Sequence, residues 1–319
     1  MRVRNPNSGN VSGSYLGLSV TFLLFVLGLQ VTLLRAYEEL PAIIQKYINF
    51  INYFQEKYML PAELPQKKMF FLFEDFPSFF LTTMYYNAII TTFLVTSMGY
   101  FHPEHPIFPT SLAESPKNLH FVIYPLQMIL TGYAISSMFA LLLIFGYPMV
   151  PLLFYGLVIL LEMRPGRKYY LSLDSLRTPH HFFKVYRNFQ VLMKHDLPFY
   201  GAFVLPSCQF LFIICAICST HGAIRMTGIF SLMLFSISIM CLTFLGGFFS
   251  LLGSYNEFST GTMFLWKSHV SRRGSHRQRL RSLSPIRVNV GEFYYADKGM
   301  VLTMYAVIFE NTVNLLVST

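Results

Sequence analysis

Charge is scarce in this chain. Only 12% of its 319 residues are Asp, Glu, Lys or Arg, well below the share in soluble domains. That shortage argues against an ordinary water-soluble fold. Cysteine is scarce too, and Cys208, Cys215, Cys218 and Cys241 all fall inside apolar runs. None sits in a loop where an extracellular disulfide could form. Cys215 and Cys218 have CxxC spacing but no second ligand pair, so the four read as small buried hydrophobes. His102-Pro103-Glu104-His105-Pro106 offers ligand types, but its prolines deny them one helical face. There is no phosphate loop, GxSxG or HExxH. We therefore expect no enzyme, no metal site and no cofactor.

What is present is apolar. The hydrophobic share is 54% and the mean hydropathy +0.47. Apolar runs occur at about 15–34, 77–99, 125–161, 198–220, 226–253 and 300–318. Most reach the ~20 residues needed to cross ~30 Å of hydrocarbon. The expected fold class is all-α: a single polytopic membrane domain over 1–319, with about six transmembrane helices and cytoplasmic helical extensions. The 125–161 run is too long for one straight span, and Gly146, Pro148 and Pro151 interrupt it. It reads either as two spans, the second short, or as one long helix running beyond the membrane.

Basic residues favour the single helix. With six spans, the segments 35–76, 162–197 and 254–299 share one side and hold 20 of the 24 Lys and Arg residues. The other side has only Arg2, Arg4, Lys117 and Arg225. The positive-inside rule makes the rich side cytoplasmic and both termini extracellular, in a multi-pass plasma-membrane protein. The net charge of +9 then calls for the lipid bilayer as partner and for no nucleic acid. The sequon Asn10-Val11-Ser12 would lie outside and is a glycosylation candidate. The first run is long for a signal peptide and lacks a small-x-small site after it.

Between the spans, Thr178–His195 reads as an amphipathic helix with Pro179 in its first turn. Phe182, Val185, Tyr186, Phe189, Leu192 and Met193 share one face. That face suits either its own subunit or assembly with a neighbour. The arginine- and serine-rich stretch at 272–281 reads as a solvated loop. Ser284–Asp297 reads as a short helical or extended lead into the last span.

The last span carries Glu310, Asn311 and Asn314. An acid and amides in hydrocarbon are expensive and by default mark a functional path. Thr303, Val307, Glu310, Asn314 and Val317 recur every three or four residues, so they form one stripe.

The C-terminal stretch Gly291-Glu292-Phe293-Tyr294-Tyr295-Ala296-Asp297, followed by Leu302 to Asn311, resembles the end of arthropod gustatory and odorant receptors. That family has a glycine-x-phenylalanine motif before its last span, and then threonine-tyrosine, five apolar residues and glutamine-phenylalanine. Here Thr303 matches the threonine, Tyr305–Phe309 the apolar positions and Glu310 the glutamine. Met304 and Asn311 depart from the tyrosine and phenylalanine. The family's seven spans include a first one without a counterpart here.

The resemblance implies a ligand-gated non-selective cation channel, built as a homo- or hetero-tetramer with a related receptor or co-receptor. Val307 would take the place of the apolar gate and Glu310 that of the polar selectivity ring. Asn314 would extend the path outward. The resemblance also implies a small organic ligand, an odorant or tastant, in the outer half of the bundle. Candidate contacts are Thr92, Phe93, Thr96, Gln127, Thr131, Tyr133, Ser231 and Phe235. The alternatives are a truncated, non-conducting receptor relative and a multi-span transporter, which would need paired helix interruptions in its two halves. A G-protein-coupled receptor would need a cytoplasmic C-terminus.

Overall fold

A computed structural model describes residues 24–35, 37–60, 123–269, 274–292 and 294–318, with isolated helical residues between 82 and 97. Asn10, Phe293, the start of the first run and most of 77–99 lie outside the described residues. Among the described residues the regular structure is helical apart from a two-stranded hairpin and one isolated bridge. Its eight helices are α1 (Leu24–Arg35), α2 (Glu39–Tyr58), α3 (Ile123–Glu162), α4 (Pro179–Phe199), α5 (Leu205–Arg225), α6 (Ile229–His269), α7 (Gly274–Ser282) and α8 (Lys298–Ser318). The hairpin strands are β1 (Asn289–Val290) and β2 (Tyr294–Tyr295).

Among the described residues, four stretches are long and apolar enough to cross a membrane: Met128–Glu162, Tyr200–Arg225, Ser231–His269 and Lys298–Ser318. The prolines of the 125–161 run do not split it. α3 is one helix of 40 residues with Pro148 and Pro151 inside. α6 runs 41 residues, well past the expected end at Gly253, so much of the anticipated 254–299 loop is helix. The reason lies in its polar residues. Ser259 and Thr262 are fully buried, and Trp266 is 2% exposed, because each hydroxyl or indole N–H finds a partner on another segment.

Those partners belong to a layer formed at one end of the long helices. Trp266 Nε1 donates to Met163 O at 2.9 Å and stacks on Phe182 with centroids 4.2 Å apart. Ser259 Oγ donates to Ile286 O at 3.1 Å and accepts from Ile286 N at 3.0 Å. Tyr255 donates to Leu153 O, and Gly156 makes room for it, since a Cβ there would lie 2.2 Å from the Tyr255 hydroxyl.

α4 lays its apolar face into this layer. Phe182, Val185, Tyr186, Phe189 and Met193 are buried, and Leu192 is packed against them. The face is thus covered within its own subunit. Thr178 Oγ1 bonds back to Ser175 O at 2.8 Å rather than capping α4.

α2 completes the layer, although no apolar run marks it in the sequence. Leu40, Ile43, Tyr47, Ile51, Phe54 and Tyr58 are buried along one face. Phe50 stacks on Phe189 at 5.5 Å, and Tyr58 Oη and His181 Nδ1 share a 3.1 Å hydrogen bond. Beyond α2, Met59 pairs with Ser172 in an antiparallel bridge.

Glu162, 2% exposed, organises the turn below α3. Its Oε2 accepts from Leu171 N, Ser172 N and Ser172 Oγ at 2.9, 3.0 and 2.8 Å, and its Oε1 from Arg167 at 3.0 Å. A buried carboxylate is tolerable because every partner is present.

No loop separates α4 from α5. A π-helical segment, Tyr200–Val204, joins them, so the amphipathic helix and the 198–220 run form one continuous rod.

Candidate pore helix

α8 is built to be held on one side and free on the other. Val301, Met304, Ile308 and Thr312 are buried; they follow the 3.6-residue period that puts one face against a neighbour. Thr312, the polar member, satisfies itself by donating to Ile308 O at 2.7 Å.

Thr303, Val307, Glu310, Asn314 and Val317 are all exposed, on the side opposite this buried face. Val317 is 83% exposed, while Val307 is 38%. Glu310 makes no hydrogen bond or ion pair among the described residues. Asn311 folds back onto its own helix, donating to Val307 O at 2.8 Å. Thr303 likewise reaches Gly299 O at 3.3 Å.

Three levels of contact fix α8. At its base, Asp297 Oδ1 accepts from Met300 N at 2.7 Å, an N-cap, and Lys298 pairs with Glu257 of α6. Gly253 lets the chain pass close, since a Cβ there would be 2.8 Å from both Asp297 C and Lys298 N. Midway, Tyr305 Oη donates to Leu242 O at 2.9 Å and sits over Gly246, where a Cβ would be 2.1 Å from it. At the far end, Arg225 Nη2 donates to Leu316 O at 2.7 Å. A cation at a helix C-terminus also complements its dipole.

The motif residues ahead of α8 have structural work. Gly291 has φ +68° in the hairpin turn, a conformation that favours glycine. Its N–H donates to Gly201 O at 2.6 Å, docking the turn onto the π segment. Tyr294 Oη donates to Gln209 Oε1 at 2.6 Å, and burial raises its phenol above the usual tyrosine range. The stretch expected as a helical or extended lead is therefore an antiparallel hairpin, pairing Asn289 with Tyr295 and Val290 with Tyr294. Phe293 lies outside the described residues.

The expected ligand contacts are more dispersed. Phe93, Tyr133 and Phe235 are exposed; Thr92, Thr96 and Thr131 are half-buried. The side chain of Gln127 lies outside the described residues. Ser231 donates to Ala223 O at 2.6 Å and so serves the turn between α5 and α6. Thr96 and Gly132 are neighbours, 3.5 Å from hydroxyl to a Cβ position. The Thr96 hydroxyl is buried with no hydrogen-bond partner among the described residues. Among the described residues no three His, Cys, Asp or Glu side chains gather as a metal site would require.

No protein-family model matches this sequence, and a search of curated proteins found no match.

Proposed function

We infer that the chain is a subunit of an oligomeric, ligand-gated cation channel of the chemoreceptor kind, with α8 lining the pore. One observation carries this reading. The polar stripe of α8 points away from its own subunit, with Glu310 unpaired in the outer half of a membrane-length helix. A carboxylate facing lipid there costs about 2.5–3.5 kcal/mol on the insertion scale. A ring of copies around a water-filled axis removes that cost and turns four Glu310 side chains into a cation-selective filter. Val307, one turn below, narrows the path as its apolar gate, and Asn314 continues the polar surface outward.

Orientation follows from charge and contact together. The basic segments around α2, α4 and the α6–α8 connection pack into one layer through Tyr58–His181, Trp266–Met163 and Ser259–Ile286. That layer is cytoplasmic by the positive-inside rule, which leaves the C-terminus outside. The unpaired Thr96 hydroxyl beside Gly132 is a polar anchor for a small, mostly apolar ligand in the outer half.

Expression in oocytes, alone and with a related co-receptor, tests the reading under voltage clamp. An odorant- or tastant-evoked cation current should appear, and Glu310→Gln should lower calcium permeability relative to sodium several-fold. Unchanged permeation in a conducting Glu310→Gln protein removes this residue from the pore. A tag on Thr319 should be reached by antibody on intact cells; staining only after permeabilisation overturns the orientation.

A further inference from the structure

The base layer carries a pattern that the channel reading leaves unused. α7 and the residue after it read Arg277-Gln278-Arg279-Leu280-Arg281-Ser282-Leu283. Arg277, Arg279, Arg281 and Ser282 are exposed, and the arginines make no ion pair among the described residues. Ser282 Oγ donates to Arg279 O at 2.8 Å. Leu280 and Leu283 alone bury their side chains in this stretch.

The arginines alternate. Period two is the spacing of an extended chain; on a helix it scatters the three around the axis. A serine preceded by arginine at the first, third and fifth positions, and followed by a large aliphatic residue, fits an extended groove lined with carboxylates. Arginine-directed serine kinases choose substrates by such charge patterns, through charge-assisted guanidinium–carboxylate pairs.

We propose that Ser282 is a phosphorylation site for a kinase of this class, and that its modification loosens the base of α8. Ser282 Oγ attacks the γ-phosphorus of ATP and forms the new P–O bond. The bond from that phosphorus to the oxygen bridging to the β-phosphate breaks, ADP leaves, and the hydroxyl proton passes to the kinase's carboxylate base. Presentation is easy, because α7 has only nine residues and a helix that short is marginal in water.

The phosphate would sit at the C-terminal, negative end of α7, where added negative charge disfavours the helix. The next residues strap the layer together. Ser284 O accepts from Tyr186 Oη at 3.0 Å and from Gln190 Nε2 at 2.9 Å, and Ile286 is clamped by Ser259. From there the chain runs through the hairpin to the Asp297 cap. The effect on α8 rests on its reading as the pore helix; the modification rests on the arginine pattern, on exposure and on the cytoplasmic side assigned to the base layer. Ser284 also has arginines three and five residues before it, Arg281 and Arg279, but Gln190 Nε2 holds its hydroxyl at 2.6 Å and Pro285 follows it, so it is the internal control and Arg277, which precedes Ser282 by five, is the residue that separates the two.

The test uses the purified full chain in detergent, ATP, and a serine kinase selective for arginine three and five residues before the acceptor. Phosphopeptide mass spectrometry should find phosphate on Ser282. Arg279→Ala should cut incorporation by about tenfold or more through loss of a charge-assisted pair, and Ser284→Ala should leave it unchanged. An unmodified Ser282, or incorporation indifferent to Arg277→Ala and Arg279→Ala, overturns the proposal. In oocytes, Ser282→Asp should shift the ligand concentration for half-activation at least threefold relative to Ser282→Ala, by weakening the strap. Equal curves overturn the coupling to α8. The pore reading stands or falls separately, on the permeability of Glu310→Gln.

Discussion

The base layer and the last helix are opposite solutions within one chain. In the base, Trp266, Tyr58, Tyr186, Tyr255, Phe182 and Phe189 are almost wholly buried, and their polar atoms are bonded across three separate segments. α8 buries four residues and leaves most of its length uncovered. Aromatic burial with satisfied polar tips gives a rigid, self-contained unit. A helix with one buried face and a free polar stripe is incomplete as a monomer in lipid. The base therefore holds the chain together, and on the proposed reading α8 is the face it would offer to other copies.

Substitutions should separate the two regions. The largest effect is expected from Trp266→Ala, which empties the stack on Phe182 and leaves Met163 O unpaired, costing about 3–5 kcal/mol. Loss of monodisperse protein in detergent would register it; a folded, equally stable variant would break the contrast. Trp266 is the sole tryptophan, so the native protein's fluorescence should shift to the red when the base melts.

Next comes Glu162→Ala, which strands Arg167, Ser172 and two amides, and should cost about 3 kcal/mol by leaving a buried network half-made. Thermal unfolding measures it, with Glu162→Gln retaining part of the loss. A smaller effect is expected where α8 leans on α6. Tyr305→Phe removes one hydrogen bond, worth about 1 kcal/mol. Gly246→Ala should destabilise the wild-type background and be rescued by Tyr305→Ala, because the added methyl collides only with that hydroxyl. Independent losses in the double mutant would dissolve the seat. The smallest change in stability belongs to Glu310→Gln, within about 0.5 kcal/mol because the residue is exposed in the subunit, despite its expected effect on permeation.

Much of this was legible in residue order. The four membrane-length helices follow from apolar runs, and the α8 stripe from spacing alone: the residues singled out as Thr303, Val307, Glu310, Asn314 and Val317 all fall on the uncovered face. The base was harder to read. α2 carries its buried residues between Glu39, Gln45, Lys46, Asn49 and Lys57, so its average polarity concealed a helical period. α6 extends beyond Gly253 because Ser259, Thr262 and Trp266 pair with distant carbonyls, which local sequence does not announce. The π joint at Tyr200–Val204 and the hairpin at Gly291 depend on each other through Gly201 O, a contact 90 residues apart in sequence. Nothing in the sequence around Glu162 marks it as structural; its four donors do.

The length of the two central rods has a mechanical consequence. α3 and α6, with 40 and 41 residues, are each about 60 Å long, twice the hydrocarbon thickness. Tyr255 and Thr262 bind α6 to the α3 carbonyls of Leu153 and Leu160, and Trp266 binds it to that of Met163 just beyond α3, which ties the pair together as one body. A tilt of about 5° about its middle carries each tip through roughly 2.6 Å, half the rise of a helical turn. On the proposed reading, a small ligand-sized adjustment at one end of the pair would arrive at the base layer as a stroke large enough to change which residues meet.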